Sequence, residues 1–506
     1  MRPTVTVDGN HLTLEELFAA SRRGCDFTWP DASRERVERA RALVDRFVAE
    51  GRVVYGVSTG FGLLSNVRIS TGQLEQLQAN LIRSHAAGVG NPLSPEETRA
   101  MLLIRANVLA KGFSGVRPVV VRTLLDMLEK DVLPVIPEKG SVGASGDLAP
   151  SAHLALVLMG EGQARHEGEV LPGGEAMRRA GIPTLVFQAK EGLAVLNGTH
   201  CMTALGALLT LEIGYLVRVA SLVASMTTDA LMGTDAHFDA RIHDVRPHPG
   251  QVRVAAEMLR VMEGSALRQS HLTCDKVQDA YALRCIPQVH GAVQDTLDHA
   301  RAILSREINA ATDNPLVFPD TETVLSGGNF HGEPIAFVLD FLGIAAAELA
   351  GISERRIERL INPDLSGLPP FLTREPGLNS GYMIAHLTAV SLVAENKVLA
   401  HPASVDSLPT SAGKEDHVSM GMTAAVKLRQ IVENVRTVLA VEALVAAQAL
   451  DFRRPAASSP LIEAAHRKIR ERVSFMEADR NMGDDIRAMT ELLAGHEIPV
   501  FSGADH

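Results

Sequence analysis

The chain has 506 residues, with 49 Lys+Arg against 60 Asp+Glu, a net charge of −11 at pH 7. That balance argues against nucleic-acid binding as the main task, because phosphate contacts need a basic face. At 46% hydrophobic and 22% charged residues, with four tyrosines and one tryptophan, the composition excludes disorder and leaves material for a large aliphatic core.

Along the chain, Thr4–Val7 alternates, Asp8-Gly9 turns and His11-Leu12 returns, which predicts a hairpin. Thr13-Leu14-Glu15-Glu16 matches a capping box that opens a helix, Ser33 is placed to cap the next one, and Ser94-Pro95-Glu96-Glu97 is a third helix start. Apolar runs then predict long helices over Leu193–Met226, Pro334–Leu360, Gly381–Ala400 and His417–Asp451. The greasiest stretch, Met202–Met226, contains Glu212 and Arg218, so a buried core helix is expected there and not a membrane span. The reading is all-α, with a smaller mixed N-terminal part over residues 1–190 and a long helical bundle with C-terminal helices over 191–506. Cys25, Cys201, Cys274 and Cys285 form no CxxC or zinc pattern. Reduced thiols in a cytoplasmic protein are expected, and the N-terminus shows no signal peptide.

Three glycine-rich loops carry the unusual chemistry: Tyr55–Gly62 (YGVSTGFG), Gly140–Asp147 (GSVGASGD) and Ser326–Gly332 (SGGNFHG). None continues into Gly-Lys-Ser/Thr, which argues against a nucleotide cradle. Ser145 does not sit in G-x-S-x-G, which argues against a hydrolase elbow. The Asp and His residues between Asp235 and His248 fit neither H-E-x-x-H nor an EF-hand, and no metal is expected. Ala144-Ser145-Gly146 has a different capacity. In a sharply bent chain the Gly146 nitrogen can reach the Ala144 carbonyl, unobstructed by a Cβ. Loss of two waters then leaves a methylidene-imidazolone (MIO), an electrophile that none of the twenty side chains supplies. Asp147 leads into an apolar run, so the loop sits at a predicted helix N-terminus, whose partial positive charge favours an electron-poor ring.

Gly140–Pro150 (GSVGASGDLAP) resembles the signature of the aromatic amino-acid ammonia-lyases, in which Ala-Ser-Gly becomes MIO. Tyr55–Gly62, Asn197-Gly198-Thr199, Val277–Cys285, Leu325–Glu333 (LSGGNFHGE) and Glu415–Gly421 (EDHVSMG) resemble further family motifs in family order. Within the family, Ser84-His85 and Glu415–Gly421 are similar to the histidine-specific branch. The resemblance implies a carbon–nitrogen lyase that converts L-histidine to trans-urocanate and ammonia, the first step of histidine degradation. Tyrosine or phenylalanine elimination, an aminomutase, or a helical scaffold without MIO are the alternatives. It also implies the helical bundle of the aspartase/ammonia-lyase type, a cytoplasmic homotetramer with shared active sites, and no external cofactor.

The roles implied are specific. Tyr55 takes the β-proton, so its pKa must be lowered from about 10 or the phenolate must form transiently. Ala144, Ser145 and Gly146 form MIO. Arg284 clamps the carboxylate with Tyr281 and Gln278. Asn197 bonds the charge that builds on the MIO oxygen or the amine. His85 and Glu415 hold the imidazole, Glu415 also accepting a proton from the amine, and Phe330 packs near the ring. Taken singly, each has a plainer reading: Tyr55 and Tyr281 as loop aromatics, His85 as a core histidine, Arg284 and Glu415 as ion pairs. Departures from the family pattern are Gly413-Lys414 for the common Asn-Gln, Ser58 for Asn or Thr, His200 for Gln, and Ile286 where some members have Gln.

Overall fold

The computed structural model describes residues 3–22, 25–60, 62, 66–274 and 276–500; Phe61 of the first glycine loop lies outside them. Helices dominate, and the chain forms two compact units. One comprises Met1–Leu211, Ala300–Asp340 and Pro402–Val426, the other Glu212–His299, Phe341–His401 and Lys427–His506.

The first unit carries every strand among the described residues, all short: three two-stranded pairs and one three-stranded sheet. The predicted N-terminal hairpin does not form. Thr4–Thr6 pairs in parallel with Asp26–Thr28 instead. The reason is local. The Asp8 carboxylate accepts the N–H groups of Asn10 and His11, so the turn closes on itself and hands the chain to the next helix. That helix, Leu14–Ser21, has the expected Thr13/Glu16 capping box, and Pro95–Ala110 has the Ser94/Glu97 box. Ser33 is not a cap. It lies inside the helix Asp31–Ala49 and donates to the Ala110 carbonyl at 2.5 Å. Ala40, Leu43, Val44 and Phe47 of that helix pack with Val57, Leu74 and Val317. This cluster holds the stem of the Tyr55 loop against the body of the unit.

The long apolar runs are helices Glu333–Ile361, Met383–Leu399 and Gly421–Phe452. The run predicted as one helix from Leu193 is two, Glu191–Leu196 and His200–Ala230, interrupted at Asn197-Gly198-Thr199. His200–Ala230 and Glu333–Ile361 are long and apolar enough to cross a membrane. The apolar windows are, however, 72% and 67% buried inside the protein, which is the behaviour of core helices.

In the second unit Phe238, Val254, Met258, Met262 and Ile286 form a core cluster. A fully buried Arg356–Glu442 pair lies in the same unit, bidentate at 2.6 and 2.8 Å, with the Thr227 and Ser353 hydroxyls on the carboxylate. Every lone pair it needs is met, the condition under which a buried pair is tolerated. Beside it, Arg356 donates to His290 Nε2 at 3.5 Å, and Ser221 lies 3.2 Å from Nδ1. Arginine only donates, so the proton sits on Nδ1. Burial, then the neighbouring guanidinium, hold the His290 pKa well below its ordinary value. Below pH 6.5 the unfolded chain therefore binds a proton that the fold refuses. Stability attached to His290 is complete above pH 6.5 and falls as pH drops, by up to about 1.4 kcal/mol per pH unit. The urea midpoint of His290→Gln should accordingly lose less than wild type between pH 7 and pH 5. Parallel pH profiles would refute this.

Candidate active site

The break between Leu196 and His200 organises the site. Gly198 has φ +118, and a Cβ there would lie 2.2 Å from the Thr312 carbonyl oxygen. Across from it lies the Ala144–Asp147 turn. Gly146 N–H points at the Gly143 carbonyl at 3.3 Å, and Ser145 and Gly146 have φ +52 and +81. The two loops are stitched by Gly198 N–H to Ser145 O (3.2 Å) and Asp147 N–H to Gly198 O (2.8 Å). A Cβ on Gly146 would sit 2.2 Å from Gly198 O, so only glycine permits this approach. Asp147 Oδ2 accepts the Cys201 and Met202 N–H groups, satisfying orphan donors at the start of the helix His200–Ala230. Burial pushes its carboxyl up to about 7 against those two bonds.

A cavity of about 270 Å³ opens over this turn. Leu81, Leu148, Leu193 and Leu196 supply apolar wall, and Tyr55, His85, Ser145, Asn197 and Glu415 the chemistry. The structure thus gathers five of the expected residues from segments hundreds of positions apart, all in the first unit. Each has its own support.

His85 ends the helix Leu74–His85, and its Nδ1 lies 2.8 Å from the Leu81 carbonyl. A carbonyl only accepts, so Nδ1 carries the proton and Nε2 the lone pair. Burial lowers the His85 pKa despite that bond and the nearby Glu415, so the ring is neutral. Glu415 Oε2 accepts the Thr410 hydroxyl at 2.8 Å, and its Oε1 is 3.5 Å from Ser145 Oγ. Backbone bonds between Thr410 and Glu415 close the intervening loop. Gly413 has φ +81 in that loop, with open space where a Cβ would point. The departure from Asn is therefore accommodated, since both residues tolerate this conformation.

Asn197 donates to the Asn314 carbonyl at 2.6 Å and towards Asp313 Oδ1 at 3.4 Å. Both amide hydrogens are thereby committed, leaving Oδ1 as an acceptor. Asp313 is in turn paired with the fully buried Lys190 at 2.8 Å. Of the two routes expected for Tyr55, the surroundings do not supply a lowered pKa, which leaves a transient phenolate. Burial, and then Glu415, push its phenol above the ordinary value against a bond with the Gly62 backbone.

Phe330, Gln278, Tyr281 and Arg284 do not line the cavity. The last three belong to the second unit. There Gln278 is exposed, Tyr281 is 70% exposed and the Arg284 guanidinium lies over the Tyr281 ring at 4.4 Å. Among the described residues, one trio has metal-ligating atoms within 4.8 Å of one another: His331, Glu333 and His417. Both ring nitrogens of His331 are already engaged, one with the His417 carbonyl and one with the Glu333 N–H. Between Asp235 and His248 three polar side chains serve the fold: Asp235 pairs with Arg268, Asp239 caps Ala240–Asp244 and His243 bonds Gln251. Sequence reasoning missed Thr410, Asp313 and Lys190; the last two are buried, which the sequence does not show.

Comparison with known proteins places the whole chain. The family model for aromatic amino acid lyases matches residues 12–471. The histidine ammonia-lyase of Anaeromyxobacter sp. (strain K) is 55% identical, over 97% of this chain and 98% of that protein. The crystal structure of histidine ammonia-lyase from Trypanosoma cruzi superposes with a TM-score of 0.91 at 44% identity, covering 98% of this chain and 94% of that one. Tyrosine aminomutase from Streptomyces globisporus gives 0.92 at 38% identity, covering 98% and 97%. In this chain a bent Ala144-Ser145-Gly146 turn lies under a cavity with a phenol, an imidazole and a carboxylate, and the family model covers most of the chain while the relatives match nearly all of it: the chain belongs to the aromatic amino acid lyase family.

Proposed function

We propose that the chain is a histidine ammonia-lyase, eliminating ammonia from L-histidine to leave trans-urocanate. The observation that carries this is the pairing of His85 and Glu415 in one small cavity with Ser145. Both present lone pairs. Histidine offers N–H donors from its ring and its ammonium group, which match two acceptors. A phenyl side chain offers none and would leave the acceptor that faces the ring unpaired in an apolar cavity, at a cost of about 1–3 kcal/mol. Relatives named histidine ammonia-lyase at 55% identity support the same choice.

Ala144-Ser145-Gly146 fits an MIO built from the chain itself, because the turn is already bent and Gly146 tolerates no side chain. When formed, that group supplies an electrophile for the substrate amine. The remaining work falls to ordinary side chains. Asn197 Oδ1 accepts from the ammonium, Glu415 takes up its proton, and Tyr55 removes the β-proton. The Leu81 carbonyl holds His85 in one tautomer, its Nε2 lone pair free for the substrate ring. Among the described residues, the cavity lining contains no lysine or arginine for the substrate carboxylate. We assign that task to Arg284, with Tyr281 and Gln278, from a second copy of the chain, Phe330 packing near the substrate ring. Sites shared between copies follow from this assignment, and the homotetramer that the family resemblance implies would provide them. The cysteines form no disulfide, consistent with a reducing cytoplasm.

Incubation with L-histidine should generate the ultraviolet absorbance of urocanate. Cinnamate or coumarate from phenylalanine or tyrosine, with nothing from histidine, would move the reading to a sister lyase, and a β-amino acid product to an aminomutase. His85→Leu should lower kcat/KM for histidine about a hundredfold, the loss of one buried polar contact. The same variant should narrow the preference over phenylalanine. A His85→Leu enzyme that kept its histidine preference would defeat the specificity argument.

A further inference from the structure

Arg105 lies fully buried beneath the two loops of the site, and the proposed function does not use it. Its Nη1 donates to the Asn197 carbonyl at 2.5 Å and towards His200 Nδ1 at 3.4 Å. Its Nε and Nη2 are buried with no hydrogen-bond partner. A guanidinium so poorly satisfied costs stability, so its place needs another explanation. The directions of the bonds around it are forced. Arginine cannot accept, so His200 Nδ1 holds a lone pair and Nε2 holds the proton. Nε2–H then donates to Ser151 Oγ at 2.8 Å, and the Ser151 hydroxyl donates to the Asp147 carbonyl at 2.6 Å. Burial, then the Arg105 charge, keep the His200 ring neutral well below its ordinary titration range, which preserves that direction.

One guanidinium therefore fixes both loops. It holds Asn197 directly, and Asp147 through His200 and Ser151. We propose that His200 is a positioning residue for the cyclisation of Ala144-Ser145-Gly146, relaying Arg105 to Asp147 so that the turn stays bent against Asn197-Gly198. This rests on the lyase reading above. The step it assists is balanced without an oxidant. A bond forms between Gly146 N and the Ala144 carbonyl carbon. The carbonyl oxygen leaves as water with the Gly146 and Ser145 amide hydrogens. A second water leaves as the Ser145 hydroxyl with its Cα hydrogen. The ring closure depends on holding Gly146 N over one carbon, and a displacement near 1 Å is worth about a hundredfold in rate.

The relay also explains the departure from glutamine at position 200. A glutamine there would place an acceptor towards Arg105 and a donor towards Ser151, the same two ends as a neutral imidazole. Intact mass of the purified full-length chain, followed over time after synthesis, reads the loss of two waters directly. His200→Leu should cyclise about a hundredfold more slowly than wild type, and His200→Gln at close to the wild-type rate. If His200→Leu fails to fold, Ser151→Ala cuts the same relay while leaving Arg105 and His200 in contact, and it should be slow as well. A folded His200→Leu or Ser151→Ala chain that loses both waters at the wild-type rate would overturn the proposal, as would a glutamine variant no faster than leucine. A wild-type chain of unmodified mass would sink the lyase reading itself, a separate outcome.

Discussion

Ser145→Ala should give a folded chain of full mass that turns over histidine at least about a thousandfold more slowly, roughly 4 kcal/mol of barrier. The size follows from the chemistry. Ammonia is a poor leaving group and no side chain is electrophilic, so without the serine hydroxyl to lose, the turn cannot supply the acceptor. The fold should barely notice. Ser145 is already left-handed at φ +52, and alanine meets the same backbone penalty. Its Oγ makes only a 3.5 Å contact with Glu415, so its removal costs well under about 1 kcal/mol. Thermal unfolding and helical circular dichroism close to wild type, with mass and activity changed together, is the expected signature. A variant that kept wild-type turnover would show that the reaction needs no group built at Ser145.

The same turn shows what could be read from the chain and what could not. Capping boxes at Thr13 and Ser94 were legible because donor and acceptor lie three residues apart. The N-terminal strand was misread because its partner, Asp26–Thr28, lies beyond an entire helix. The interruption at Asn197–Thr199 was hidden inside an apolar run, since periodicity reports burial and burial continues on both sides. At the site, Ser145, His85 and Glu415 were legible as motifs in family order, and the fold confirms that 85, 145 and 415 share one cavity. Their supports were not. Lys190, Asp313 and Arg105 read as ordinary charges, because sequence does not reveal which charges are buried. Tyr55 was legible as a cavity residue, but its environment was not. Its role demands easy deprotonation, while burial and Glu415 press the other way.

That tension makes Tyr55→Phe the most informative substitution. It should lower kcat by about 10²–10⁴, the usual worth of a positioned proton acceptor, with KM within a few-fold. Phenylalanine preserves the ring in the cavity wall and removes only the atom that takes the proton. The pH dependence adds a second readout. A tyrosine held above 10 acts as base only through its ionised fraction. With such a base, kcat/KM of the wild type should climb with pH until the phenol titrates. The slope is up to tenfold per unit, and it should vanish in the phenylalanine variant. Any cation delivered to the cavity favours the phenolate and moves the limb to lower pH. Arg284 of a second copy is the group assigned to do this. Arg284→Gln should therefore move the limb upward as well as raise KM. A Tyr55→Phe enzyme that retained both its turnover and its pH slope would assign the β-proton to another base, and Glu415, the carboxylate that shares the cavity, would be the next candidate.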